Sequence, residues 1–172
     1  NFEQYPIDFA VGTANKCIQG LPGVSFVLYR KKDLPRIKDI PPRSIYFALA
    51  EHLRAQEQGD TLFTPAIQAC YALNAALDEL LEETTSGRID RYRKTAENLR
   101  KGFKKIGLEF LIPESHQSNC LTALKLPNDI SYDWLHDKLK KNGFIIYAGQ
   151  GLFNKKIFRI ANMGNIQDEE FS

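Results

Sequence analysis

Two long segments in the middle of the chain carry apolar residues at the three- and four-residue spacing of a helix buried on one face. In the first segment these residues are Ala66, Cys70, Leu73, Leu77 and Leu80, and in the second they are Ile89, Tyr92, Ala96, Leu99, Phe103 and Ile106. A helix start is predicted at Thr64 and Pro65, since a capping hydroxyl before a proline suits the first helical turn. Ser86 is the predicted cap of the second helix and Gly107 its predicted end.

Shorter apolar runs on both sides of these helices predict strands, and other segments rich in helix formers predict further helices. The expected strands cover residues 7–11, 24–29, 108–112, 119–126, 144–147 and 156–161. The expected helices cover residues 44–58 and 131–142, and residues 167–171 read as the start of another. Residues 31–40 read as a short helical turn and loop closed by two prolines. This order predicts an α/β fold in which a long helix near residues 65–83 joins the remnant of an earlier sheet to a small α/β unit.

Composition narrows the class of protein without naming a partner. The 172 residues are 43% hydrophobic and 26% charged, which is enough to bury a core and ordinary for a globular domain. The 23 basic and 21 acidic residues leave a net charge of only +2, so we expect neither a nucleic-acid nor a membrane partner. The chain begins with Asn1 rather than Met, which suggests that upstream sequence is missing.

The cysteines and histidines predict no metal site. Cys17, Cys70 and Cys120 are odd in number and far apart, so they form neither a disulfide framework nor a zinc spacing, and a reducing cytoplasm fits best. The three histidines show no ligand spacing. No apolar run approaches the roughly 18 residues needed to span a bilayer, and no signal-peptide pattern opens the chain.

Lys16 is the first candidate for chemistry. It is the only charged residue between Asp8 and Arg30, and its neighbours are small or apolar. Such surroundings would desolvate an ammonium group and favour the neutral amine that attacks an aldehyde. On composition alone, a solvated loop lysine remains the alternative interpretation.

The segment around Lys16 carries a family resemblance. The run Ala-Asn-Lys-Cys-Ile-Gln-Gly at residues 14–20, followed by Leu-Pro-Gly, resembles the cofactor-lysine segment of 2-aminoethylphosphonate:pyruvate aminotransferases. These enzymes belong to the class V, fold type I group of pyridoxal-phosphate enzymes. The resemblance implies that Lys16 binds pyridoxal 5'-phosphate as a Schiff base and moves a proton between substrate and cofactor. It also implies that Asn15 and Thr13 lie near the cofactor phosphate, with Thr13 replacing a more usual serine.

A second segment, Thr-Leu-Phe-Thr-Pro-Ala at residues 61–66, is similar to a helix start found in the same group. There the threonine reaches the cofactor phosphate of the neighbouring subunit, which implies that Thr64 binds phosphate and that the active site is shared in a homodimer. A helix N-terminus offers free amides and a positive dipole end to such a group. A simple helix cap explains Thr64 equally well.

The third segment, Phe-Arg-Ile-Ala-Asn-Met-Gly at residues 158–164, resembles one near the end of the family's sequences. A charged residue inside an apolar strand needs a partner, and the resemblance implies that Arg159 binds the acidic group of the substrate. A surface arginine on an edge strand is the alternative. By contrast, we expect Arg88, Arg91 and the lysines of the same helix to form a solvated face opposite its apolar residues.

Together the three segments imply an α/β fold of two parts. Residues 1–83 would be the remnant of the large cofactor-binding domain with its mixed sheet, including the lysine loop and an interdomain helix. Residues 84–172 would be the small C-terminal α/β domain, truncated at its end. The implied reaction transfers the amino group of 2-aminoethylphosphonate to pyruvate, and its partners are therefore small amines and 2-oxo acids.

Three alternatives stay open at this point. An alanine-glyoxylate or serine-pyruvate type aminotransferase would share the lysine, the threonine-proline helix start and the late arginine. A cysteine desulfurase fits less well, because that branch usually has His before the cofactor lysine and Asn15 stands there. A non-catalytic dimerisation module is the third. In the family, the residues that hold the cofactor ring precede the lysine, so we expect the 172 residues alone to be inactive.

Overall fold

A computed structural model describes residues 4–166 of the chain. They divide into two compact units between Leu77 and Asp78, and each unit is described by itself. The helix expected at residues 167–171 lies outside the described residues. The assignment of residues 1–83 and 84–172 to two domains of a larger enzyme stays a prediction.

The first unit opens with an antiparallel hairpin. Strand β1 (Phe9–Thr13) pairs with β2 (Ser25–Tyr29). These are the two strands expected at residues 7–11 and 24–29. The first strand begins two residues later than predicted. Arg30 accounts for the delay, because its side chain donates to the carbonyls of Tyr5 and Ile7 at 3.1 and 2.9 Å.

Three helices follow the hairpin: α1 (Leu34–Asp39), α2 (Leu49–Glu57) and α3 (Ile67–Glu83). The helix expected at residues 44–58 is therefore shorter at its start, where Ser44 Oγ instead accepts from the amide of Phe47 in a turn. The buried face of helix α3 was predicted only in part, because Leu73 and Leu80 are half-buried but the fully buried residues are others. Its buried residues are Ala69 and Ala76, whereas Cys70 and Leu77 are exposed.

The second unit is built on α4 (Thr85–Lys105), α5 (Tyr132–Lys141) and three short strands. The strands are β3 (Leu121–Lys125), β4 (Tyr147–Ala148) and β5 (Ile157–Ala161), and they form an antiparallel sheet in the order β3-β5-β4. Ser131 caps α5 as expected, with its Oγ accepting from the amide of Trp134 at 3.2 Å. The predicted cap of α4 is wrong, because Thr84 and not Ser86 accepts from Gly87.

The core of the second unit lies on one face of this sheet. Leu124, Ile146 and Phe158 are at most 4% exposed, and partly buried apolar residues from α4, α5 and the adjoining loops pack on them. Two predicted strands are much reduced here. The 108–112 strand leaves only a bridge between Phe110 and Leu124, and the 144–147 strand becomes β4. No helix within the described residues is both long and apolar enough to cross a membrane.

Candidate active site

Lys16 lies on a closed loop between the two strands of the hairpin. The amide of Gly20 donates to the carbonyl of Ala14 at 2.9 Å, and the amide of Gln19 donates to the carbonyl of Lys16 at 2.9 Å. At the base of the loop, the amide of Ala14 donates to Val24 at 3.1 Å, and the Ala14 side chain is fully buried. The backbone on both sides of Lys16 is therefore fixed.

Two glycines let this loop approach α3 closely. A Cβ added to Gly20 would lie 3.2 Å from Ala14 Cβ and 3.5 Å from Leu73 Cα. Gly23 has a φ of +127°, and a Cβ there would lie 3.2 Å from Ala69 Cβ. The small residues Ala69 and Gly23 thus seat the Lys16 loop on the helix that follows Thr64.

Three of the four side chains expected to bind the cofactor lie on this loop or at its edge. Thr13 ends β1 and is exposed, Asn15 is half-buried, and Lys16 is exposed. Because Lys16 is exposed, the described residues do not provide the desolvation that the sequence led us to expect. Its Nζ makes no hydrogen bond or ion pair within residues 4–166, so the amine is available to a ligand.

Thr64 does not cap a helix. Helix α3 begins at Ile67, three residues after Thr64, and the Thr64 hydroxyl makes no hydrogen bond within the described residues. The cap that the sequence predicts is therefore wrong. Thr64 stands exposed before the first turn of α3, the helix against which the Lys16 loop rests.

Arg159 occupies the middle of β5 in the second unit and is half-buried. Its Nε donates to the carbonyl of Ala148 at 2.9 Å, which fixes one edge of the guanidinium. Neither Nη group makes a hydrogen bond or ion pair within residues 4–166. The donors at the forked end of Arg159 are therefore unoccupied in the described fold, and the role of Arg159 in binding the acidic group of the substrate stays a prediction.

The end of the segment that contains Arg159 is held by buried polar groups. Asn162 is 2% exposed, and its Nδ2 donates to the carbonyls of Tyr92 and Asn119 at 3.2 and 2.9 Å. Gly164 donates from its amide to the Tyr92 hydroxyl at 3.2 Å. These bonds tie the residues after β5 to α4 and to the loop before β3.

A cluster of charges fixes the same segment, and we call it the Glu83 clasp: Glu83, Arg88, Arg91 and the carbonyl of Gly164. Arg88 and Arg91 each donate from Nε to the Glu83 carboxylate at 2.6 Å, and Arg91 Nη1 donates to Gly164 at 2.8 Å. The hydrogen bond from Arg91, joined by that from Arg88, lowers the pKa of Glu83 to about 2. The same bond raises the pKa of Arg91.

The clasp corrects the interpretation of α4. Arg88 is 5% exposed, so it does not belong to a solvated basic face as predicted. Its pairing with Glu83 was missed because Glu83 lies on the preceding helix. The three- and four-residue spacing within α4 shows only which residues of α4 share a face. The acidic residue five positions before Arg88 was the only signal in the sequence.

In the structure Thr13 ends β1, Asn15 and Lys16 follow on the loop, and the loop packs on the helix after Thr64. Arg159 belongs to the second unit. Within residues 4–166 no group of three or more His, Cys, Asp or Glu side chains is placed to hold a metal ion.

Comparison with known proteins relates the chain to one group of enzymes. It is 32% identical over 174 residues to a 2-aminoethylphosphonate–pyruvate transaminase of Phocaeicola vulgatus, covering 99% of this chain and 48% of that protein. Transaminases of the same name from Bacillus cytotoxicus and Lysinibacillus sphaericus are 34% and 36% identical over 95% of the chain. The chain spans about half the length of these relatives. No family model matches it.

Solved structures give the same answer for the fold. The ureidoglycine-glyoxylate aminotransferase of Bacillus subtilis superposes with a TM-score of 0.88 at 27% identity, over 99% of this chain and 45% of that one. The subgroup IV aspartate aminotransferase of Thermus thermophilus gives 0.86 at 28% identity, over 98% and 47%. The predicted α/β fold and the predicted resemblance are therefore confirmed: this chain is a homologue of the C-terminal half of 2-aminoethylphosphonate–pyruvate transaminases, with the fold of a type I aminotransferase.

Proposed function

We propose that the chain forms the C-terminal half of a pyridoxal-phosphate-dependent aminotransferase. The enzyme would transfer the amino group of 2-aminoethylphosphonate to pyruvate, giving phosphonoacetaldehyde and alanine. The observation that carries this proposal is Lys16, a lysine in the matched Ala-Asn-Lys-Cys segment whose free amine stands on a closed, backbone-bonded loop. The relatives named for this reaction align with nearly the whole chain, which supports the choice of substrates.

The groups on the first unit suit pyridoxal phosphate. An aldehyde requires an accessible primary amine, and Lys16 Nζ is exposed and unpaired within residues 4–166. A phosphate requires hydrogen-bond donors, and the Thr64 hydroxyl before α3 is available for that role. Asn15 and Thr13 flank the lysine and are proposed as further polar contacts near the phosphate. When bound, the cofactor would supply an aldehyde and an electron-withdrawing ring.

Two residues of the chain would then have separate roles in the reaction, one in proton transfer and one in substrate binding. Lys16 anchors the cofactor and, once its amine is released, takes the proton from the substrate carbon that carries nitrogen. Its fixed backbone limits where the amine can reach, which favours one direction of proton transfer. Arg159 binds the acidic group of the substrate through the two Nη groups that have no partner within the described residues.

A homodimer in a reducing cytoplasm is part of the proposal. Several large apolar side chains of the first unit are at least 74% exposed, which is typical of a surface that another chain segment or a second copy covers: Val11, Ile45, Phe47 and Tyr71. Thr64 would bind the cofactor phosphate of the neighbouring subunit. Three widely spaced cysteines, none of them in a disulfide, suit a reducing compartment.

Borohydride trapping on the full-length gene product tests the proposal. We expect reduction in the presence of pyridoxal phosphate to leave a phosphopyridoxyl group on the peptide that contains Lys16, as read by mass mapping. Lys16→Ala should abolish the label, whereas Lys32→Ala, at another exposed lysine of the same unit, should keep it. Label on a different lysine, or none on the folded protein, would refute the cofactor role.

Substrate choice needs a second measurement on the same protein. We expect kcat/KM with pyruvate as acceptor to be highest for 2-aminoethylphosphonate among a set of donors that includes serine and alanine. A preference for serine or alanine over the phosphonate would replace the proposed substrate while leaving the cofactor chemistry in place. Transamination by the 172 residues alone would contradict the expectation that residues preceding Lys16 are required.

A further inference from the structure

We propose that Tyr147 is a second anion-binding residue, which acts beside Arg159 to select a phosphonate over a carboxylate. The inference rests on the proposed function, because it takes Arg159 as the residue that binds the acidic group of the substrate. It goes further by naming the side chain that would distinguish two kinds of acidic group. Nothing in the sequence near Tyr147 indicates this role.

The register of the sheet places Tyr147 directly opposite Arg159. Strands β4 and β5 are antiparallel, and their Cα partners are Tyr147 with Arg159 and Ala148 with Phe158. Directly opposite residues project from the same face of a sheet with Cβ atoms about 5 Å apart. On the other side of Arg159, its partner on β3 is Ala123. The row across the sheet therefore has a methyl group on one side of Arg159 and a phenol on the other.

Both side chains are available to a ligand. Tyr147 is 61% exposed, and its hydroxyl makes no hydrogen bond within residues 4–166. Two other tyrosines of this unit use their hydroxyls, since Tyr132 donates to the carbonyl of Ile146 and Tyr92 accepts from Gly164. Tyr147 thus differs from them in having a hydroxyl that the described fold does not occupy.

The backbone keeps the two groups in a fixed relation. Arg159 Nε donates to the carbonyl of Ala148, the residue next to Tyr147. The position of the Arg159 side chain is therefore fixed relative to the strand that carries Tyr147. Gly149 follows and is buried, and its amide donates to the carbonyl of Ile157 at 3.1 Å. This bond closes the pairing of β4 with β5 just beyond the row that contains Arg159.

The chemistry of the two acidic groups explains why a phenol would discriminate between them. A carboxylate is planar and has two oxygens, which the two Nη groups of an arginine fork can bind together. A phosphonate is tetrahedral, and its third oxygen points away from the plane of that fork. A phenolic hydroxyl is a donor suited to this oxygen. Tyr147 therefore has a partner in a phosphonate and none in a carboxylate bound in the same way.

Ligand binding to the full-length protein tests this role without depending on turnover. Dissociation constants for methylphosphonate and for pyruvate are measured by titration calorimetry on the wild type, Tyr147→Phe and Tyr5→Phe. We expect Tyr147→Phe to weaken methylphosphonate binding tenfold or more and to change pyruvate binding less than threefold. Tyr5, which is 60% exposed in the first unit, is the matched control, and its variant should change neither constant.

Three results would overturn the inference: unchanged methylphosphonate binding by Tyr147→Phe, equal weakening for both anions, or a wild type that does not bind methylphosphonate. A melting temperature of Tyr147→Phe within about 2 °C of the wild type shows that any loss is local. The proposed function fails separately, through the absence of trapped cofactor on Lys16. If Lys16 is labelled while Tyr147→Phe binds methylphosphonate normally, the function stands and the role of Tyr147 does not.

Discussion

Arg91 joins Glu83, near the end of α3, to the carbonyl of Gly164 beyond β5. Its Nε donates to the Glu83 carboxylate at 2.6 Å and its Nη1 to Gly164 at 2.8 Å. Two segments separated by more than 70 residues in sequence are thereby held by one guanidinium. Because Gly164 ends the segment that begins with Phe158, the Glu83 clasp contributes to the position of the strand that bears Arg159.

Glu83→Gln should destabilise the protein by about 2 to 3 kcal/mol. The amide removes the negative charge that pairs with Arg91 and with Arg88, which is 5% exposed. Urea unfolding at neutral pH measures the free energy of unfolding directly. Glu82→Gln is the control, because the neighbouring Glu82 is exposed and should change stability little. Equal stability of the two variants would mean that the clasp contributes no net stability.

The clasp also predicts how stability depends on pH. The pKa of Glu83 is lowered to about 2 in the folded protein from an ordinary value of 4.5. A lowered carboxyl pKa stabilises the fold above the unfolded value, and that contribution is lost as the pH falls from about 4.5 towards 2. The difference in unfolding free energy between the wild type and Glu83→Gln should therefore shrink over this window. A difference that stays constant from pH 7 to pH 3 would contradict the assignment.

Local patterns in the sequence predicted the elements better than their contacts. Helix α5 was predicted correctly at both ends, because Ser131 and Gly143 act within one turn of the helix they bound. Thr64 carried a similar signal, yet α3 starts at Ile67 and leaves the hydroxyl without a hydrogen bond among the described residues. The cap signal in the sequence was therefore correct for α5 and wrong for α3.

Contacts between distant segments could not be predicted in the same way. The pairing of Arg88 with Glu83 depends on the angle between consecutive helices, which apolar periodicity does not encode. The pairing of Tyr147 with Arg159 depends on strand register, and β4 has only two residues to specify it. The candidate residues of the site were reached through segment resemblance instead, and their roles stay predictions.

Gly149→Ala should weaken the part of the sheet that anchors Arg159. A Cβ at Gly149 would collide with the backbone carbonyl of Phe153 and with the Ile157 side chain, neither of which can move freely. We expect a loss of about 1 to 3 kcal/mol in unfolding free energy. Gly102→Ala is the control, since a Cβ on that helical glycine would meet nothing within 4 Å and should not destabilise. Equal melting temperatures for both variants would show that the loop after β4 can move to accommodate the added Cβ without a loss of stability.

Arg159→Lys should reduce kcat/KM for the phosphonate donor about 100-fold while leaving the protein folded. Lysine keeps the positive charge but has no Nε to donate to Ala148 and no planar fork for two oxygens of an acidic group. Arg93→Lys, at an exposed arginine that pairs with Asp90 on α4, should leave kcat/KM unchanged. If Arg159→Lys kept full activity, a positive charge alone would be sufficient to bind the acidic group of the substrate. The hydrogen bond from Arg159 to Ala148 would then have no part in substrate binding. A similar loss in Arg93→Lys would mean that the assay reports the stability of the second unit and not recognition of the acidic group.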